Sequence, residues 1–128
     1  MKRAVILTMI AATCSASAPA ADDARQLVTM PAPMNQHMLS NMRDHLLAVT
    51  EIQRALGSAD YQRAADIAEQ RIGLSSLESH GASHMAPFMP KPMQDIGTRM
   101  HKAASQFALV AQETGADGNL SRAVGALS

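Results

Sequence analysis

From residue 38 onward, apolar and soft side chains return at alternating intervals of four and three: Met38, Met42, His45, Val49, Ile52 and Leu56. That rhythm draws one continuous stripe along an α-helix, whereas a strand would repeat every second residue. It recurs in Tyr61, Ala65, Ala68, Ile72 and Ser75, with Arg63, Asp66, Glu69 and Arg71 mostly toward water, and again in Met93, Ile96, Met100, Ala103, Phe107 and Val110. Tyr61, Phe88 and Phe107 are the only Phe, Tyr or Trp residues among the 128. The core must therefore be assembled from Ala, Leu, Ile, Val and Met, which suits helix-on-helix packing and works against a β-sandwich.

Local signals set the expected boundaries. Asn35 is a good N-cap for the first helix, Gly57 a natural residue just past its end, and Ser58 or Asp60 a cap for the second. The second stripe predicts a helix to about Ser79, ended by Gly81. Residues 81–92 contain Pro87, Pro90 and Pro92 and cannot be helix interior, so they form an ordered connection with apolar anchors. A third helix should stop at Gly115. After a turn over Ala116–Asn119, a fourth begins with Leu120, Val124 and Leu127 in phase. Nine residues of helix extend only about 14 Å against roughly 30 Å for the others. The expectation is an all-α, antiparallel up-and-down four-helix bundle over 35–128 with a truncated fourth helix, leaving one end of the three-helix groove uncovered.

The N-terminal region reads as an address. Lys2 and Arg3 precede an apolar run from Ala4 to Ala12, too short to span a bilayer, followed by small residues offering A-x-A sites at Ala18 or Ala20. This predicts a signal peptide over 1–20, cleavage after Ala20, an extended leader over 21–34 and a periplasmic protein without a stable membrane anchor. Cys14 lacks the Gly or Ala before it, and the Leu three before it, that a lipid-attachment signal would carry. It is also the sole cysteine, so the mature chain has neither a disulfide framework nor a thiolate metal site. Formal net charge is zero and no basic patch is interleaved with aromatics, which argues against nucleic acid as a partner.

Several stretches carry a family likeness: Met42, Arg43, Asp44, His45 and Leu46 in the first helix; Arg63 through Ala68 in the second; Phe88, Met89 and Pro90 before the third; and Ala104 through Ala108 within it. In this order, with a proline-rich second connection and a last helix after a Gly/Asp turn, the chain resembles the cytochrome c-prime family and its low-spin relatives over roughly residues 35–128. The resemblance implies a haem bundle for electron transfer or small-ligand binding, a periplasmic redox partner, and pairing of two copies through the first two helices. In the family the last helix continues into a Cys-x-x-Cys-His motif that bonds haem c and ligates its iron. This sequence stops before such a motif, so it cannot carry covalent haem as written. A truncated gene product is the favoured explanation, a haem-free lineage the other. The family's low-spin members take a methionine near the start of the first helix as second iron ligand, which points to Met38 first and Met42 second.

Apart from that likeness, methionine and histidine are abundant in the mature chain. Met34, His37, Met38, Met42 and His45 fall on the first helix, His80, His84, Met85 and Met89 near the connection, and Met93, Met100 and His101 on the third helix. Thioether and imidazole together suit copper, Cu(I) above all, in a compartment where thiols are scarce. Met38, Met42 and His45 share one helix face and form the candidate copper set of a haem-free metal-binding or metal-tolerance module. The blander readings are that Met38 and Met42 fill a core short of aromatics, and that His45 is a core or boundary residue with its N–H satisfied. His80 and His84 alone have the His-x-x-x-His spacing, and they straddle an expected helix end. No nucleophile–base pair, phosphate loop or paired carboxylates can be identified, so no enzymatic activity is expected.

Overall fold

A computed structural model of the chain describes residues 25–128, so the expected signal peptide and the first leader residues lie outside the described part. Within it the secondary structure is helical throughout, with no strand. Five α-helices follow one another: α1 (Ala32–Gly57), α2 (Tyr61–Arg71), α3 (Ala82–Met85), α4 (Lys91–Asp117) and α5 (Leu120–Leu127). Short 3₁₀ turns occupy Leu74–Ser76 and Ala86–Phe88.

Helix α1 starts four residues earlier than the Asn35 cap implied. Pro31 precedes it in an extended conformation and Pro33 sits in the first turn, where a missing N–H costs nothing. The αL residue that ends the turn after α1 is Ala59 (φ 56°), while Gly57 remains helical. Asp60 caps α2 as expected, accepting from the Arg63 N–H at 3.1 Å. The larger correction is that α2 ends at Arg71, not near Ser79. Gly73 interrupts it, and the Glu69 carboxylate accepts from the Ser75 N–H (3.1 Å) and Oγ (2.5 Å), drawing the chain out of the helix. These local side-chain bonds compete with the helical ladder, which is how Glu69 and Ser75 overrode the apolar period. At the other end α4 runs through Gly115 to Asp117 and is closed by Gly118 in the αL region (φ 70°). Asn119 then caps α5, accepting from the Arg122 N–H at 3.2 Å.

Small residues dominate the packing. Ala48 and Ala55 of α1, Ala64, Ala65 and Ala68 of α2, Ala108 and Ala111 of α4 and Ala123 of α5 are all buried, around Ile52, Leu56, Ile72 and Phe107. Alanine seams bring helix axes close, and Phe107, only 1% exposed, fills the space between them. Helix α2 packs on both α1 and α4, and α5 lies mainly on α4. Direction follows from the contacts at each end: Gly115 lies against Tyr61, whereas His101 reaches Ile72 and Asn41 reaches His80. Both α1 and α4 therefore run away from the connecting segment 81–90. No helix among the described residues is long and apolar enough to cross a membrane.

Candidate functional site: a histidine triad under a methionine-lined pocket

Three imidazoles from three parts of the chain meet near the connection. His45 comes from α1, His80 from the turn before α3 and His101 from α4; their ring centroids are 4.8, 5.8 and 5.6 Å apart, with none of the pairs stacked face to face. All three are at least nine-tenths buried. The frame that brings them together is well bonded. Asn41 Nδ2 donates to the His80 carbonyl (3.1 Å), tying the turn to α1, and Gln94 Nε2 donates to the carbonyls of Ala86 (3.0 Å) and Met89 (2.8 Å), tying the connection to α4. Arg71, at the end of α2, grips α1 through Asp44, using Nε (3.1 Å) and Nη2 (2.5 Å), and through Glu51 (2.8 Å). That guanidinium holds the Asp44 carboxyl below its usual range.

Hydrogen bonding fixes two of the three tautomers. His101 Nδ1 is bonded to the Ile72 carbonyl, which only accepts, so Nδ1 carries the proton and Nε2 keeps a lone pair. Ser76 Oγ spends its own proton on the Gly73 carbonyl at 2.7 Å, so its contact with His80 Nδ1 at 3.3 Å makes that nitrogen the donor. His80 is left with a lone pair on Nε2 as well. An imidazole whose Nδ1–H is anchored to the backbone or a hydroxyl, with Nε2 unspent, is the form in which histidine ligates metals.

His45 is different: neither of its buried ring nitrogens has a hydrogen-bond partner. This overturns the reading of His45 as a satisfied core residue. Burial, then the neighbouring His80 and His101, pushes its pKa from the usual 6.5 down to about 4, so the ring is neutral at physiological pH. Burial and His101 lower His80 in the same direction. The neutral state favoured at His45 and His80 is the one in which imidazole coordinates a metal.

The triad forms one wall of a cavity of about 490 Å³ between α1, α4 and the connection. Met38 and Met42 line it, as does His45, so the three residues expected as a set do share one pocket. Met85, Met89, Met93 and Met100 line it too. His80 and His101 were noticed in the sequence as part of the methionine and histidine abundance but not chosen as ligands. His101 lies one position off the stripe through Met93 and Met100, and His80 needed the early end of α2, which the apolar period concealed. His84, its partner in the His-x-x-x-His spacing, stays exposed and is not part of the lining.

Metal–nitrogen bonds of about 2.0–2.1 Å, with ring centroids about 1 Å further out, would set tetrahedral ligand centroids about 5 Å apart. The observed triangle is close to that size. Among the described residues no group of three His, Cys, Asp or Glu side chains is placed to hold a metal ion; a metal bound at the triad would have to draw its rings into new orientations. Covalent haem fits less well, because residues 25–128 contain no cysteine. No family model, curated protein or solved structure matches this chain.

Proposed function

We propose that this chain is an exported, non-enzymatic helical protein that binds copper in the pocket between α1, α4 and the connection. The observation that carries the reading is His45, an imidazole buried with both nitrogens unpartnered beside two others whose Nε2 lone pairs are unspent. A buried polar group without a partner costs roughly 1–3 kcal/mol, and a ligand that takes up the lone pair repays that cost. The six methionines lining the pocket add soft donors that suit copper over harder ions. Isothermal titration of the mature protein with copper, under reducing and oxidising conditions, tests the proposal. Stoichiometric binding is expected, with Cu(II) binding lost when His45, His80 and His101 are replaced by Leu; no binding below millimolar copper in either condition rejects it.

The cytochrome c-prime-like alternative is favoured by one feature, the apolar breadth of the same pocket with Met38 and Met42 on its wall. In that reading α1, α2, α4 and α5 are the antiparallel up-and-down bundle, and Met38 or Met42 would supply an axial thioether to haem. Titration with hemin distinguishes the two: a sharp Soret band that M38L or M42L shifts supports haem, and free-hemin absorbance throughout eliminates it.

A further inference from the structure

The pocket has an order along its length. Helices α1 and α4 both run away from the connection, and both present thioethers before imidazoles: Met38, Met42 and then His45 on α1, Met93, Met100 and then His101 on α4. At the helical rise the first and last of each series are separated by about 10–12 Å along the axis. Met89 lines the pocket from the connection itself, at the thioether end. Met38, Met89 and Met93 are only partly buried, whereas all three imidazoles are buried.

We infer that the pocket holds copper in two tiers sorted by oxidation state: the His45, His80 and His101 floor takes Cu(II), and the Met38, Met42 and Met93 tier takes Cu(I). The inference rests on the copper reading and adds to it where each ion sits. Imidazole nitrogen is a good donor to Cu(II), while thioether sulfur is a soft donor that favours Cu(I). Transfer between tiers needs one electron: a one-electron reductant such as ascorbate, itself oxidised, converts floor-bound Cu(II) to Cu(I), which the thioethers then take up.

The test uses the full mature chain loaded with copper in each state. X-ray absorption should show nitrogen scatterers around Cu(II) and sulfur scatterers around Cu(I) after ascorbate is added. The triple substitution Met38→Leu, Met42→Leu and Met93→Leu, which conserves volume, should lower Cu(I) affinity at least tenfold in competition with bicinchoninate and leave the Cu(II) paramagnetic resonance spectrum unchanged. His45→Leu should abolish the nitrogen hyperfine pattern of Cu(II) and weaken Cu(I) less than tenfold. Identical scatterers for both states, or a methionine triple that weakens both ions equally, would overturn the two tiers while leaving a single mixed copper site. Absence of binding by the unaltered protein in either state would instead remove the copper reading itself.

Discussion

At the scale of single residues, His45 sets a cost that can be measured. With its nitrogens unpartnered, an apolar side chain of similar volume should fit the apo protein better than the imidazole does. His45→Leu is therefore expected to raise the stability of the metal-free protein by about 1–2 kcal/mol in urea unfolding, even as it disrupts the Cu(II) site. A loss of stability would mean that the ring makes a contact worth more than its unpaired nitrogens cost. The same residue gives a pH dependence whose sign is fixed. Its folded pKa, about 4, lies below the unfolded value of 6.5, so between those limits the unfolded chain binds a proton that the folded chain does not. Stability contributed by His45 is thus complete above 6.5 and is lost as pH falls toward 4, by about 3 kcal/mol at most. His80 acts in the same direction. Asp44, whose carboxyl is lowered from 3.8 by Arg71, adds its loss only at more acid pH. Urea unfolding followed from pH 7 to 4 should show this slope in the natural sequence and a flatter one in His45→Leu.

At the scale of elements, the end of α2 decides whether the triad exists. Ile72 supplies the carbonyl that orients His101, and Gly73 supplies the one that occupies Ser76 and so orients His80. Had α2 continued to Ser79, as its apolar period implies, both carbonyls would have been spent on the helix ladder. A Cβ at Gly73 would lie 2.5 Å from Glu69 Oε2 and 2.8 Å from Glu69 Cα, the second a backbone atom that cannot swing aside. Gly73→Ala should therefore cost about 1–3 kcal/mol in stability and weaken copper binding from a distance. Unaltered affinity in this variant would show that the turn does not set the tautomers. Much of the elements was legible nonetheless. The four-and-three rhythm located α1, α2 and α4, Asp60 was one of two expected caps for α2, and the turn through Asn119 was expected to lead into the helix that starts at Leu120. What the rhythm concealed was governed by other physics: side-chain competition by Glu69 and Ser75, and the tolerance of a long helix for Gly115, where the ladder continues to Gly118. Period alone also placed Ile96 and Val124 on the buried stripes, yet they are 59% and 50% exposed.

At the scale of the whole molecule, the two ends are built differently. Away from the connection, alanine seams close around Ile52, Leu56, Phe107 and Thr114, all 4% exposed or less. Phe107→Ala at that end should cost about 3–5 kcal/mol, because almost nothing else large is available to fill the space. Near the connection the helices flank an open pocket of about 490 Å³, and the chain between α2 and α4 is held mainly by turns and by side-chain bonds from Asn41 and Gln94. The sequence showed that methionine and histidine were plentiful, and an up-and-down bundle already sets α1 and α4 in the same direction; what it did not show is that α2 would end at Arg71 and bring His80 to the same end. A ligand bound only by the folded state stabilises it by about 4 kcal/mol at a thousand times its dissociation constant, and local opening is suppressed where the ligand's contacts lie. Copper should therefore slow amide hydrogen exchange chiefly in residues 36–45, 72–89 and 93–101, whose side chains or turns frame the pocket. Residues 48–56, 61–68 and 107–114 should slow only in their slowest amides, those that exchange through global unfolding. In His45→Leu the protection added by Cu(II) near the connection should largely disappear while the closed end exchanges as before. If copper instead protected both ends of the natural protein alike, its site would not be the pocket between α1, α4 and the connection.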